Sequence, residues 1–136
     1  MASVLFLVSN TTQSVAVDGL VNLGTTIHKN CGSQARQSGN GIAITGTGYF
    51  NIEVNAIVSA PATGNVTLQL YKDGLPISGA IATETIGTAT TELHSMSFNT
   101  EILRGCACNS LSSITIVNTG IASTISNVSV RVKRDC

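Results

Sequence analysis

The sequence predicts an all-β domain built as an antiparallel sandwich, and three observations carry that prediction. Hydrophobicity alternates with period two from end to end, with no helical period of comparable length. Val and Ile together number 25, against three Phe, two Tyr and no Trp, and β-branched side chains pack well on pleated surfaces. Turn residues recur at roughly ten-residue intervals, the spacing of short strands in a sandwich or barrel.

The first strand is Val4 to Val8, apolar on both faces. Val15 and Val17 mark a short second one, closed by Asp18-Gly19. The stretch Thr25 to Asn40 is polar, contains Gly32 and Gly39, and reads as a long loop with room for one short strand. Ile42 and Ile44 alternate with Ala43 and Thr45 before Gly46-Thr47-Gly48 turns the chain. Phe50, Ile52, Val54, Ala56 and Val58 then share one face, with Asn51, Glu53, Asn55 and Ser59 on the other, and Pro61 ends the strand. Val66, Leu68 and Leu70 lead into Lys72-Asp73-Gly74, a hairpin turn whose return strand runs near Ile77 to Thr83. Leu93 to Phe98 is the next strand. Ile114 and Ile116 mark another, stopped by Asn118 to Gly120, and Val128, Val130 and Val132 form the last with Ser129, Arg131 and Lys133 opposite. About eight to ten strands are expected in one domain spanning residues 1–136.

Composition excludes several functions. Seven basic and seven acidic residues cancel, and only 10% of the chain is charged. A nucleic-acid binder needs a clustered basic excess to neutralise phosphates, so no nucleic-acid partner is expected. The apolar run Val4-Leu5-Phe6-Leu7-Val8 has no basic residue before it and is too short for a secretory signal. No run approaches the roughly 18 apolar residues of a membrane span. Cytosolic synthesis and no membrane partner are the expectation.

Gly39-Asn40-Gly41-Ile42-Ala43-Ile44-Thr45-Gly46-Thr47-Gly48-Tyr49-Phe50-Asn51-Ile52-Glu53-Val54 places a strand, a Gly-rich turn and an aromatic-initiated strand in succession. Leu68-Gln69-Leu70-Tyr71-Lys72-Asp73-Gly74 follows as a hairpin. Together with strand count and spacing, these resemble the tumour-necrosis-factor/complement-C1q jelly roll in its phage and bacterial form. The resemblance covers nearly the whole chain in pattern through short, permissive motifs. It implies a TNF/C1q-like jelly-roll sandwich that forms homotrimers. Eukaryotic members have more core aromatics and a secretion signal, so the departure points to a prokaryotic or viral relative. Phage members serve as head fibres, decorations and tail tips, whereas spore-surface members follow a collagen-like stalk, and no Gly-X-Y repeat occurs here.

Four cysteines stand out, Cys31, Cys106, Cys108 and Cys136. Cys106-Ala107-Cys108 lacks C-x-x-C spacing and has no companion pair, which disfavours zinc and redox sites. Disulfides linking the doublet to Cys31 or Cys136 are the leading reading, with free buried thiols and a metal site as alternatives. Four cysteines allow three pairings, and the sequence does not choose among them. His94 alternates with Met96 and Phe98 and reads as a packed or surface histidine, while His28 lies in the polar stretch. Neither accompanies a nucleophile motif. A histidine near a three-fold axis would recur three times and gather a metal or an anion, a remote alternative. Glu53 with Glu92 or Glu101 is the only carboxylate pairing with a route to glycosidase geometry, and nothing in the spacing requires it. Asp18 and Asp73 read as turn residues before Gly. Arg131-Val132-Lys133-Arg134 reads first as an edge strand guarded by charge, second as a dock for an acidic partner such as a capsid shell.

In a sandwich strand with one wet face, apolar residues alternate. Val4, Phe6 and Val8 share one face and Leu5 and Leu7 the other, so both faces of this strand must be dry. One is expected to fill the sandwich, and the other to contact a neighbouring copy or the capsid. A short strand buried under the 25–40 loop is the competing explanation. The expected function is a non-catalytic phage virion structural protein: a homotrimeric head decoration, fibre or tail-tip subunit with no cofactor and no catalytic or metal residues. Its expected partners are a second and third copy, the major capsid or another virion protein, and a host-surface glycan. Its expected location is the virion. The alternatives are a bacterial spore- or cell-surface trimer and a carbohydrate-binding module, the latter disfavoured by the shortage of Trp and Tyr.

Overall fold

A computed structural model of the chain describes residues 4–29, 34–104 and 112–135. Among the described residues there are eleven strands and no helix. They are β1 (Val4–Ser9), β2 (Gln13–Val15), β3 (Thr25–Lys29), β4 (Ala35–Ser38), β5 (Gly41–Ile44), β6 (Gly48–Ser59), β7 (Gly64–Lys72), β8 (Leu75–Ile86), β9 (His94–Arg104), β10 (Ser112–Asn118) and β11 (Ser123–Asp135). One sheet has the order β3-β1-β11-β6-β9, with β2 also paired to β11; the other has the order β4-β5-β10-β7-β8. All the pairings are antiparallel.

Alternation in the sequence becomes two-sidedness in space. Phe50, Ile52, Val54 and Val58 of β6 are fully buried, as are Leu5 and Leu7 of β1, and Val128, Val130 and Val132 of β11 nearly so. They join Val66, Leu68 and Leu70 of β7 and Ile114 and Ile116 of β10 in a single core between the sheets. Asp73 and Gly74 both take positive φ, 53° and 82°, the geometry of a two-residue type I′ hairpin turn. The Asp73 carboxylate accepts from the Ser113 backbone N–H at 2.8 Å, which ties this turn to β10.

Three expectations need correction. The 25–40 stretch is not a long loop, because it contributes the two edge strands β3 and β4. Every residue of β3 is exposed, so the strand is held by its ladder to β1 and shows no apolar alternation. Val17 lies outside β2 and is 55% exposed; the chain leaves the sheet there to turn at Asp18, whose backbone N–H donates to the Asn118 carbonyl at 2.7 Å. The basic segment 131–134 is not on an edge. It belongs to β11, which sits between β1 and β6.

Asn118 secures this end of the molecule. It is fully buried, and its amide nitrogen donates to the carbonyls of Ile121 at 2.8 Å and Val15 at 3.2 Å. Its amide oxygen accepts from Gly120 N–H at 3.1 Å. One side chain thereby satisfies backbone groups of two segments, the end of β2 and the turn between β10 and β11.

Candidate assembly face

Residues directly opposite in an antiparallel ladder project to the same side. The six-stranded sheet therefore presents rows of side chains to the outside. One row runs Val4, Lys133, Asn51, Glu101 across β1, β11, β6 and β9. The next runs His28, Phe6, Arg131, Glu53, Asn99, beginning on β3. A third runs Val8, Ser129, Asn55, Ser97. Tyr49 and Leu103 pair at one end of the face, and both are exposed.

Three features set this surface apart from an ordinary solvated face. Val4, Phe6 and Val8 are half-buried, whereas Leu5 and Leu7 on the same strand are fully buried. The two faces of β1 thus differ in kind: one is core and the other is apolar surface. Among the described residues, Arg131, Lys133, Glu53 and Glu101 form no ion pair, although Arg131 and Glu53 stand opposite each other. Finally, the Asn51 side-chain oxygen is buried and accepts no hydrogen bond among the described residues. A buried polar atom without a partner costs about 1–3 kcal/mol.

The face is also concave in places. A depression of about 290 Å³ is lined by Asn51, Glu53, Arg131 and Lys133. Another of about 400 Å³ lies over Val4, Phe6, His28 and Arg131. A third of about 310 Å³ has Val8, Asn55, Ala56, Ile57 and Asn127 among its lining residues.

The remaining sequence candidates lie elsewhere. Glu53 and Glu101 share this face, but Asn99 stands opposite Glu53 and Asn51 opposite Glu101. Glu92 sits at the far edge with His94. The His94 ring bonds Glu92 through Nε2 at 2.7 Å and Glu84 through Nδ1 at 3.2 Å. The bond to Glu92 raises the His94 pKa above its ordinary value, and the bond to His94 lowers that of Glu92. This three-residue cluster had no signal in the sequence beyond the period-two placement of His94. Arg134 donates from Nε to the Thr47 carbonyl at 2.7 Å. Cys31, Cys106, Cys108 and Cys136 lie outside the described residues.

No family model and no curated protein matches the sequence. Solved structures do match in shape. Eiger TNF from S. frugiperda superposes with a TM-score of 0.67 at 10% identity, over 100% of this chain and 92% of that one. The globular domain of zebrafish complement 1qA gives 0.54 at 12% identity, over 98% and 99%. This chain folds as a TNF/C1q-like jelly roll. The PRD1 vertex protein P5 shares the jelly roll with a TM-score of 0.56 at 16% identity, over 98% of this chain and 97% of that one. At such identities the likeness concerns the jelly roll itself, and no site residue transfers with it.

Proposed function

We propose that the chain is a non-catalytic structural subunit of a phage virion. It assembles as a homotrimer through the outer face of the six-stranded sheet, and serves as a head decoration, fibre or tail-tip component. The observation that carries the assembly is the apolar outer row of β1, Val4, Phe6 and Val8, beside charges that form no ion pair among the described residues. A neighbouring copy packed there removes apolar surface from water and brings donors and counter-charges within reach. The resemblance of the sequence to a homotrimeric superfamily supports the same stoichiometry. The likeness to a PRD1 vertex protein supports the virion setting.

The mechanism is geometric. A trimer offers three copies of one attachment surface to a capsid or other virion protein and three loop sets to solvent, so weak contacts add through effective concentration. A glycan on the host surface is the partner suited to Ser- and Thr-rich loops. A second reading, a bacterial spore- or cell-surface trimer, is favoured by the likeness to a C1q globular domain.

Light scattering after gel filtration tests the assembly. The expected mass at micromolar concentration is three times the 14.0 kDa of the chain, and a monomer across that range overturns the trimer. Mass spectrometry of purified particles tests the setting: the chain present in stoichiometric amount supports the phage reading, and its presence on spores or cell envelopes instead supports the second.

A further inference from the structure

The two sheets of the sandwich meet along an open side where β8, the last strand of the five-stranded sheet, lies beside β9, the last strand of the six-stranded sheet. Glu84 stands opposite Val66 on the β7–β8 ladder, and His94 stands opposite Val58 on the β6–β9 ladder. Both valines are fully buried, so Glu84 and His94 project inward from facing sheets at the rim of the core. The connection between them adds Glu92, whose carboxylate also accepts from Gly87 N–H at 2.8 Å. The imidazole is gripped from both sides, by Glu92 at Nε2 and by Glu84 at Nδ1.

A neutral imidazole carries one N–H, and its other ring nitrogen is a lone-pair acceptor. A carboxylate is acceptor-only when ionised. The neutral ring can therefore satisfy one of these two carboxylates and must turn a lone pair toward the other. Only the imidazolium, with two N–H groups, satisfies both. We infer that Glu84, Glu92 and His94 form a proton-operated clasp that holds the β8–β9 seam shut while His94 is charged and releases the Glu84 side when it is not. Among the described residues no other titratable group pairs with the ring: β6 brings Val58 opposite it, β8 brings Glu84, and the connection brings Glu92.

The direction of titration agrees. His94 has a raised pKa in the folded chain, so its contribution is fully present below the ordinary imidazole value of 6.5 and is lost as pH rises through the higher folded value. Glu92 has a lowered pKa, so its contribution is present above the ordinary carboxylate value of 4.5 and is lost as pH falls through the lower folded value. The clasp is complete between those limits. It belongs to this chain's own packing and does not rest on the assembly proposed above.

Hydrogen exchange across pH, corrected for intrinsic rates, reads the seam. In the full chain, amide protection over 84–94 should fall as pH rises past the His94 titration followed by NMR. His94→Gln should abolish that fall, and His28→Gln should leave it unchanged. Should His94→Gln fold poorly, Glu84→Gln keeps the Glu92 bond and removes the grip from the opposite sheet. That variant should show low protection at every pH while His94 still titrates above the ordinary range. Seam protection that stays flat with pH, a pH-dependent fall that survives in His94→Gln, or a His94 titration at or below its ordinary value would each overturn the clasp.

Discussion

The division of β1 into a core face and an outer face can be measured one side chain at a time. Leu7 is fully buried, and truncating a buried Leu to Ala costs about 2–5 kcal/mol. Taking about 3 kcal/mol, and roughly 4 °C per kcal/mol for a domain of this size, Leu7→Ala should melt about 12 °C lower. Phe6 is half-buried on the outer face. Full burial of such a side chain is worth about 1.5–3 kcal/mol, so Phe6→Ser should cost an isolated copy about 1 kcal/mol. Its effect on association is larger, because three equivalent contacts at about 1 kcal/mol each weaken trimer formation by more than a hundredfold. Guanidinium unfolding at a concentration where all variants are monomeric isolates the first quantity, and light scattering over a dilution series gives the second. Equal loss of monomer stability in the two variants, or an unchanged dissociation midpoint for Phe6→Ser, would refute the assignment of faces.

Asn118→Ala should cost about 2–4 kcal/mol in thermal or chemical unfolding, since it strands the carbonyls of Ile121 and Val15 in a buried site; an effect under about 0.5 kcal/mol would contradict its role. Gly24→Ala should lower the melting temperature by at least the equivalent of the roughly 1–2 kcal/mol that a left-handed residue costs. Its φ is +80° and an added Cβ would meet the Val8 carbonyl oxygen at 2.1 Å. The disulfide expected from the sequence is tested separately: non-reducing peptide mapping should link Cys106 or Cys108 to Cys31 or Cys136, a closure worth typically about 2–4 kcal/mol, and four freely alkylated thiols in native protein would exclude it.

What the sequence made legible was whatever one face of one strand decides alone. Phe50 to Val58 announced β6 because five inward apolar side chains alternate with outward polar ones. Asp73-Gly74 announced its turn because two successive positive φ values favour that pair. The strand β3 was hidden, since Thr25 to Lys29 pack no side chain into the core and leave no pattern to read. Strand order was hidden as well. Arg131 and Lys133 alternate with buried valines, which fixes the face they occupy and says nothing of which strands lie alongside. That both sides of β1 are apolar was legible in its unbroken run, but the charged neighbours of Val4 and Phe6 come from β6, β9 and β11, brought alongside by register alone. The His94 cluster joins different sheets, and no spacing within one strand encodes a contact of that sort.

The placement of β10 and β11 also has a consequence for how the molecule comes into being. Each lies in the interior of its sheet, β10 between β5 and β7, and β11 between β1 and β6. Both emerge from the ribosome after every strand they join. At roughly 5–20 residues per second, the nascent chain spends roughly 2–8 s between completing β7 and starting β10 with two slots open, each flanked by unpaired strand edges. The long-range ladders that fill them close slowly, in the millisecond-to-second range usual for β-sandwiches. A ribosome stalled before Ser112 would thus hold a chain with neither sheet complete, a natural client for a chaperone and a seed for aggregation at high expression.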